Sequence, residues 1–154
     1  MMVSTKGRYA LRVMIELAQQ QRSVYNPVIS LGAIARRQGI SLKYLESIAA
    51  LLNKGGLVVS TRGKDGGYRL ACPAAEIPVG KILRLTEGSL APVACLETGC
   101  DRADGCLTLP LWQQLDALID GYLDRVSLED LLCGRVDAPA AGGGDENTDE
   151  IGKK

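Results

Sequence analysis

Three of the five cysteines in this chain, Cys95, Cys100 and Cys106, fall close together in the pattern Cys-x4-Cys-x5-Cys. Thiolates are the ligands that iron–sulfur clusters prefer, and they also serve zinc and redox exchange. Gly99 and Gly105 let the intervening chain fold its sulfurs inward. The spacing is looser than the paired Cys-x-x-Cys of structural zinc sites. The pattern therefore points first to a cluster and leaves another metal ion, thiol oxidation or no site open. Cys72, beside Pro73, and Cys133, in an apolar helix, read instead as buried structural residues. The chain contains no histidine. That excludes Ser-His and Cys-His nucleophiles and removes imidazole from any metal site, so no enzyme is expected.

A second group of residues points to nucleic acid. From Leu31 the apolar residues keep helical spacing through Ile34 and Ala35; Gly39 breaks the pattern, and Leu42, Leu45, Ile48 and Leu52 restart it. Two short helices about a glycine-bearing turn, with Ser30 and Ser41 as N-caps, describe a helix-turn-helix. The β-branched run Leu57–Thr61, then Arg-Gly-Lys-Asp-Gly-Gly, then Tyr-Arg-Leu, is a hairpin where a wing would sit. A nucleotide-phosphate loop is disfavoured, because the glycines lack the Gly-Lys-Ser/Thr ending and lead into a strand.

Charge coincides with this motif. Residues 1–70 carry 11 Lys+Arg against 3 Asp+Glu, residues 71–154 carry 7 against 15, and the net charge is zero. A basic half built on a helix-turn-helix and a wing has the footprint of a DNA-binding unit rather than of an ordinary solvated face. In such motifs the first turns of the second helix meet the base edges. Lys43 is placed to donate to guanine or phosphate, and Tyr44 and Ser47 to bond a backbone oxygen. Glu46 either accepts from a cytosine amine or faces solvent. In the wing, Arg62 precedes Gly63, Gly66 and Gly67, which permit positive φ and a close approach of backbone to a groove.

The remaining elements frame these two groups. Residues 4–20 read as a helix burying Ala10, Val13, Met14, Leu17 and Ala18, with Arg8, Arg12 and Glu16 off the apolar face. Lys6 and Arg8 at its start either reach phosphates or are simply solvated. Residues 21–28 read as a loop around Asn-Pro, and Pro78 opens a short helix. Gly88 to Asp104 is aperiodic and reads as loop. From Thr108 a helix of four or five turns aligns Leu111, Leu115, Leu118, Ile119, Tyr122 and Val126, which suggests a dimer seam, with packing back on its own domain as the alternative. Ser127 opens a final short helix with a near capping box.

The expectation is a mainly α chain with these divisions: a winged helix-turn-helix over residues 1–87, a cysteine-rich loop over 88–107, a long C-terminal dimerisation helix with a short final helix over 108–133, and a disordered acidic tail over 134–154. No run approaches the ~18 apolar residues a membrane span needs. Lys6, Arg8 and Arg12 also interrupt the N-terminus, so a cytoplasmic chain with reduced thiols is expected.

The ordered set STKGRYAL, ISLKYLE, RGKDGGYRL, the three spaced cysteines, CLTLPLW and SLEDLL resembles a family of bacterial winged-helix transcription regulators, typified by the iron–sulfur cluster regulator IscR. The resemblance runs to about Leu132. It implies a homodimer with crossed long helices on a palindromic operator of double-stranded DNA, and an iron–sulfur cluster, 2Fe–2S favoured over 4Fe–4S, that tunes binding. By residue match it places Ser41, Lys43, Tyr44, Glu46 and Ser47 in the major groove and Arg62 in the minor groove. The departure is the fourth ligand. The histidine of the IscR-like branch is Leu109 here, and the first-helix aspartate of a nitric-oxide-sensing branch is Arg8. Glu97, Asp101, Asp104, a residue of the other subunit, or an exogenous thiol or water are the remaining candidates.

Overall fold

The two helices of the helix-turn-helix begin on serines whose side chains cap them. The computed structural model describes residues 3–23 and 28–136, and helix α1 spans Thr5–Ser23. Helix α2, Leu31–Gln38, starts where the Ser30 side chain accepts from the Ala33 N–H, and it stops at Gly39 with φ 65°. Helix α3, Leu42–Lys54, is capped in the same way by Ser41, which accepts from the Tyr44 N–H. Strands β1 (Val58–Thr61) and β2 (Gly67–Leu70) pair antiparallel, with Val58 opposite Leu70 and Thr61 opposite Gly67.

The hairpin is tied to the helix-turn-helix through Ile29 and Tyr68, whose N–H groups donate to each other's carbonyls at 3.0 and 2.8 Å. A Cβ at Gly67 would fall on the Ile29 carbonyl, and one at Gly66 on the Thr61 carbonyl. These two wing glycines are thus required by the hairpin's own packing.

The core is aliphatic, as the composition predicts. Val13, Met14 and Leu17 of α1 pack with Ile34 of α2, Leu45, Ile48 and Leu52 of α3, and Leu57 and Leu70 of the hairpin. Complete burial of a leucine or isoleucine contributes ~1.5–3 kcal/mol before chain entropy is charged against it. Glu16 departs from expectation. It is buried, 8% exposed, because α2 presents partners to it: Arg37 Nε lies 2.6 Å from Oε1 and Gln38 Nε2 donates to Oε2 at 2.7 Å. The Arg37 contact is an ion pair by distance without hydrogen-bond geometry, so the attachment of α1 to α2 rests on charge and on Gln38.

Beyond the hairpin, a 3-10 turn at Ala74–Glu76 leads to α4, Val79–Glu87, with Pro78 at its N-cap. The segment expected to be entirely loop contains one helical turn, α5, Cys95–Thr98, too short to register as a period. Helix α6 spans Leu109–Arg125 with Pro110 in its first turn, and α7 spans Leu128–Cys133. Ser127 and Asp130 form a full capping box: the Asp130 N–H donates to Ser127 Oγ at 3.1 Å and the Ser127 N–H donates to Asp130 Oδ2 at 3.0 Å.

The apolar stripe of α6 divides. Ile119, Leu123 and Val126 pack on Val79, Leu83 and Leu90, while Leu111 and Leu118 remain 59% and 68% exposed. The C-terminal end of α6 is also anchored by polar contacts. Arg84 donates to Asp120 and Asp124 at 2.7–2.9 Å, and the Val79 N–H donates to the Val126 carbonyl at 2.8 Å. Residues 24–27, the centre of the loop expected at 21–28, and the tail from 137 onward lie outside the described residues.

A candidate nucleic-acid interface and a cysteine loop

The first turns of α3 present a shallow concavity lined by Ser41, Lys43, Tyr44 and Ser47. Helical periodicity explains the grouping: Leu45, Ile48 and Leu52 face the core, so Lys43, Glu46 and Ser47 are turned to solvent. Tyr44 is half-buried and fixed on its inner side by Tyr9 of α1, their rings meeting edge-on at 6.0 Å and 80°. The Ser47 hydroxyl donates to the Tyr44 carbonyl at 2.6 Å, which orients its lone pairs outward. Four of the five residues expected on this surface thus line one concavity, and Glu46 is exposed beside it.

Arg62 and Gly63 sit exposed at the tip of the hairpin, where Gly63 adopts φ 113° and its carbonyl accepts from the Gly66 N–H at 3.0 Å. Arg62 does not line the α3 concavity. Gly66 and Gly67 are half-buried in the turn, and the packing described above accounts for them.

A further concavity includes Arg8, one of the two first-helix residues expected either to reach phosphates or to be solvated, but not Lys6. Thr5, Arg8, Tyr9 and Arg12 of α1 line their own concavity next to Tyr44. Their spacing of three, four and seven is a helical face and was legible in principle, but nothing in the sequence showed that it adjoins α3.

The three clustered cysteines are solvent-accessible. Cys95 opens α5 and is half-buried, Cys100 is exposed, and Cys106 is half-buried with its Sγ 3.4 Å from the Thr108 hydroxyl. That hydroxyl, followed by the backbone N–H groups of Thr108 and Leu109, holds the Cys106 thiol below the ordinary thiol pKa. Glu97, Asp101 and Asp104 are exposed nearby in sequence, and Leu109 is half-buried.

Among the described residues, no three Cys, Asp or Glu side chains converge as a metal site. The donors therefore suit an iron–sulfur cluster in kind, being three thiols, but they are not gathered within the single chain. Cys133 is corrected from a buried to an exposed thiol. It ends α7 facing Arg22, whose guanidinium donates to Sγ at 3.1 Å and also pairs with Glu129. Cys72 is half-buried against the main core. No helix among the described residues is long and apolar enough to cross a membrane.

Comparison with known proteins gives a consistent picture. Residues 3–134 match the Rrf2 family profile, described as an iron-dependent transcriptional regulator. The HTH-type transcriptional regulator IscR of Serratia proteamaculans is 41% identical over 133 residues, covering 86% of this chain and 79% of that protein. Among solved structures, T. potens IscR superposes with a TM-score of 0.71 at 39% identity, over 93% of this chain and 94% of that one. The B. subtilis global cysteine regulator CymR superposes with a TM-score of 0.74 at 35% identity, over 87% and 98%.

Proposed function

The chain belongs to the Rrf2 family of transcriptional regulators, and we propose that it acts as a homodimer on a palindromic double-stranded operator, with its signal received at Cys95, Cys100 and Cys106. The observation that carries this reading is the α3 concavity, set within a half of the chain that holds 11 basic and 3 acidic residues. In the proposed complex the start of α3 enters the major groove. Lys43 contacts guanine or phosphate, Tyr44 and Ser47 bond backbone oxygens, and Ser41, which caps α3, sets the depth of its first turn. Glu46 is the specificity element. A carboxylate among phosphates is repelled unless it accepts from a cytosine amine. Arg62 enters the minor groove, and Gly63 brings the hairpin backbone close to the duplex.

The dimer reading is supported by α6. None of its described side chains is fully buried, and Leu111, Leu115 and Leu118 repeat along one side of it at 59, 37 and 68% exposure, with Leu107 exposed in the turn before it. Covering that stripe with a second copy would remove these exposed leucines from water and place two reading heads on paired half-sites.

For the signal, Cys95, Cys100 and Cys106 would supply three thiolates to an iron–sulfur cluster, 2Fe–2S ahead of 4Fe–4S. The fourth position would be filled by Glu97, Asp101, Asp104, the other subunit or an exogenous ligand. Bound there, a cluster would supply an iron- and redox-dependent crosslink of the loop. A second reading, a cluster-free regulator that responds to thiol oxidation or to a protein or metabolite partner, is favoured by the cysteines not converging within the described chain, and its oxidation branch by the lowered pKa at Cys106.

Anaerobic purification with iron and sulfide assay, beside a DNA shift on the upstream region of the protein's own gene, tests both parts. A coloured protein whose iron is lost on changing all three cysteines to serine is expected. A colourless protein that resists reconstitution ends the cluster reading and leaves the cluster-free one. Absence of any shift at low salt ends the DNA reading.

A further inference from the structure

We propose that Thr5, Arg8, Tyr9 and Arg12 of α1 form a phosphate-binding pocket that grips the DNA backbone beside the groove entered by α3. The four residues occupy one face of α1, opposite the face formed by Ala10, Val13, Met14 and Leu17 that is buried in the core. They enclose a concavity of about 180 Å³. At the ~30 Å³ that each water occupies in the liquid, such a space takes a phosphate group with part of its hydration.

The pocket is built rather than incidental. Arg8 donates through Nη2 to Thr5 Oγ1 at 3.2 Å, and the Arg12 guanidinium lies over the Tyr9 ring at 5.5 Å from its centroid. Tyr9 in turn meets Tyr44 at 6.0 Å, so an unbroken run of side chains links Arg12 to the first turn of α3. Arg8 and Arg12, like Arg36, Arg62, Arg69, Arg102 and Arg125 and unlike Arg22, Arg37, Arg84 and Arg135, have no acidic partner among the described residues; what sets them apart is that both line one concavity. Two exposed guanidinium groups held by a hydroxyl and an aromatic face, and left without a counter-ion, suit the planar, bidentate demand of a phosphodiester.

The ligand is DNA rather than a free anion because the pocket adjoins the α3 concavity, Tyr9 of the one meeting Tyr44 of the other edge-on. This inference rests on the reading of α3 as a DNA-contacting helix. It differs from that reading in assigning no sequence preference to α1, since phosphate contacts position without specifying.

The test is the salt dependence of DNA binding by the full chain, measured by fluorescence anisotropy from 50 to 200 mM salt. Wild type is compared with Arg8→Ala, Arg12→Ala and the double variant, on operator and on unrelated DNA. Each lost phosphate contact is expected to reduce the slope of log K against log salt by ~0.9; in the two-fold dimer each substitution removes two contacts, so the double variant loses about 3.6, equally on both DNAs. Both side chains are exposed and alanine favours helix, so an unchanged thermal midpoint is expected alongside.

A double variant with the wild-type slope overturns the pocket while leaving the α3 reading intact. Wild type that binds no DNA at 50 mM salt overturns both. Saturable binding of inorganic phosphate that the double variant loses, with the DNA slope unmoved, assigns the pocket to a free anion and overturns the DNA assignment.

Discussion

Leu118→Gln is the sharpest single probe of how the chain assembles. Leu118 leaves 68% of its surface in water on an α6 that buries none of its described side chains. Full burial of a leucine is worth ~1.5–3 kcal/mol, so covering what Leu118 still exposes contributes roughly 1–2 kcal/mol per chain. In a two-fold dimer the substitution acts twice, and the glutamine amide must also be desolvated, so the loss is about 2–4 kcal/mol. At ~1.4 kcal/mol per tenfold change, the dimer dissociation constant rises roughly 30- to 700-fold. Sedimentation equilibrium over a concentration series reads this directly, and circular dichroism verifies that the monomer stays folded, since Leu118 belongs to neither core cluster. A variant that self-associates as tightly as wild type would refute the assignment of this face to a seam. So would wild type that is monomeric at every concentration.

Two further outcomes follow from local geometry. Ser127 donates to Asp130 through its hydroxyl and then through its backbone N–H, with Arg135 adding a smaller attraction, and these hold the Asp130 carboxyl below the usual aspartate range. The folded-state pKa is depressed, so the associated stability is present above the unfolded value of ~3.9 and is lost as pH falls through the folded value. Urea titrations between neutral and acid pH should show Ser127→Ala flattening that acid limb; an unaltered limb would remove the capping box from the pH dependence. Gly67→Ala places a methyl group on the Ile29 carbonyl and should cost ~1–3 kcal/mol in urea unfolding. A midpoint equal to wild type would mean that the wing root yields more easily than its packing implies.

What the sequence disclosed was local. Ser30, Ser41, Gly39, Pro78 and Ser127 act within one turn of themselves, and the structure has each at the boundary where its chemistry predicts it. The features it concealed depend on neighbours distant along the chain. Glu16 reads as a solvated carboxylate until α2 folds back to present Arg37 and Gln38. Cys133 sits in the apolar string Leu-Leu-Cys, yet a helix of six residues turns it toward Arg22, 111 positions away. The α6 periodicity was visible, but one stripe serving two purposes, inward at Ile119 and outward at Leu118, cannot be separated by spacing alone. At the cysteine loop the donors were evident from their type, while the fact that they do not converge among the described residues is a three-dimensional property that spacing does not encode.

The attachment of α6 only near its C-terminal end has a mechanical corollary. Held at Arg84 and at the Val79–Val126 hydrogen bond, the helix extends for 17 residues, ~25 Å at 1.5 Å per residue, toward the cysteines. It is a lever with its pivot on α4 and its free arm beginning three residues after Cys106. A rotation of about five degrees at the pivot corresponds to roughly 2 Å at the tip, by the helix rise alone. If two such levers cross, a modest rearrangement among Cys95, Cys100 and Cys106 would be felt as a change in the span between paired half-sites, with no refolding of either reading head.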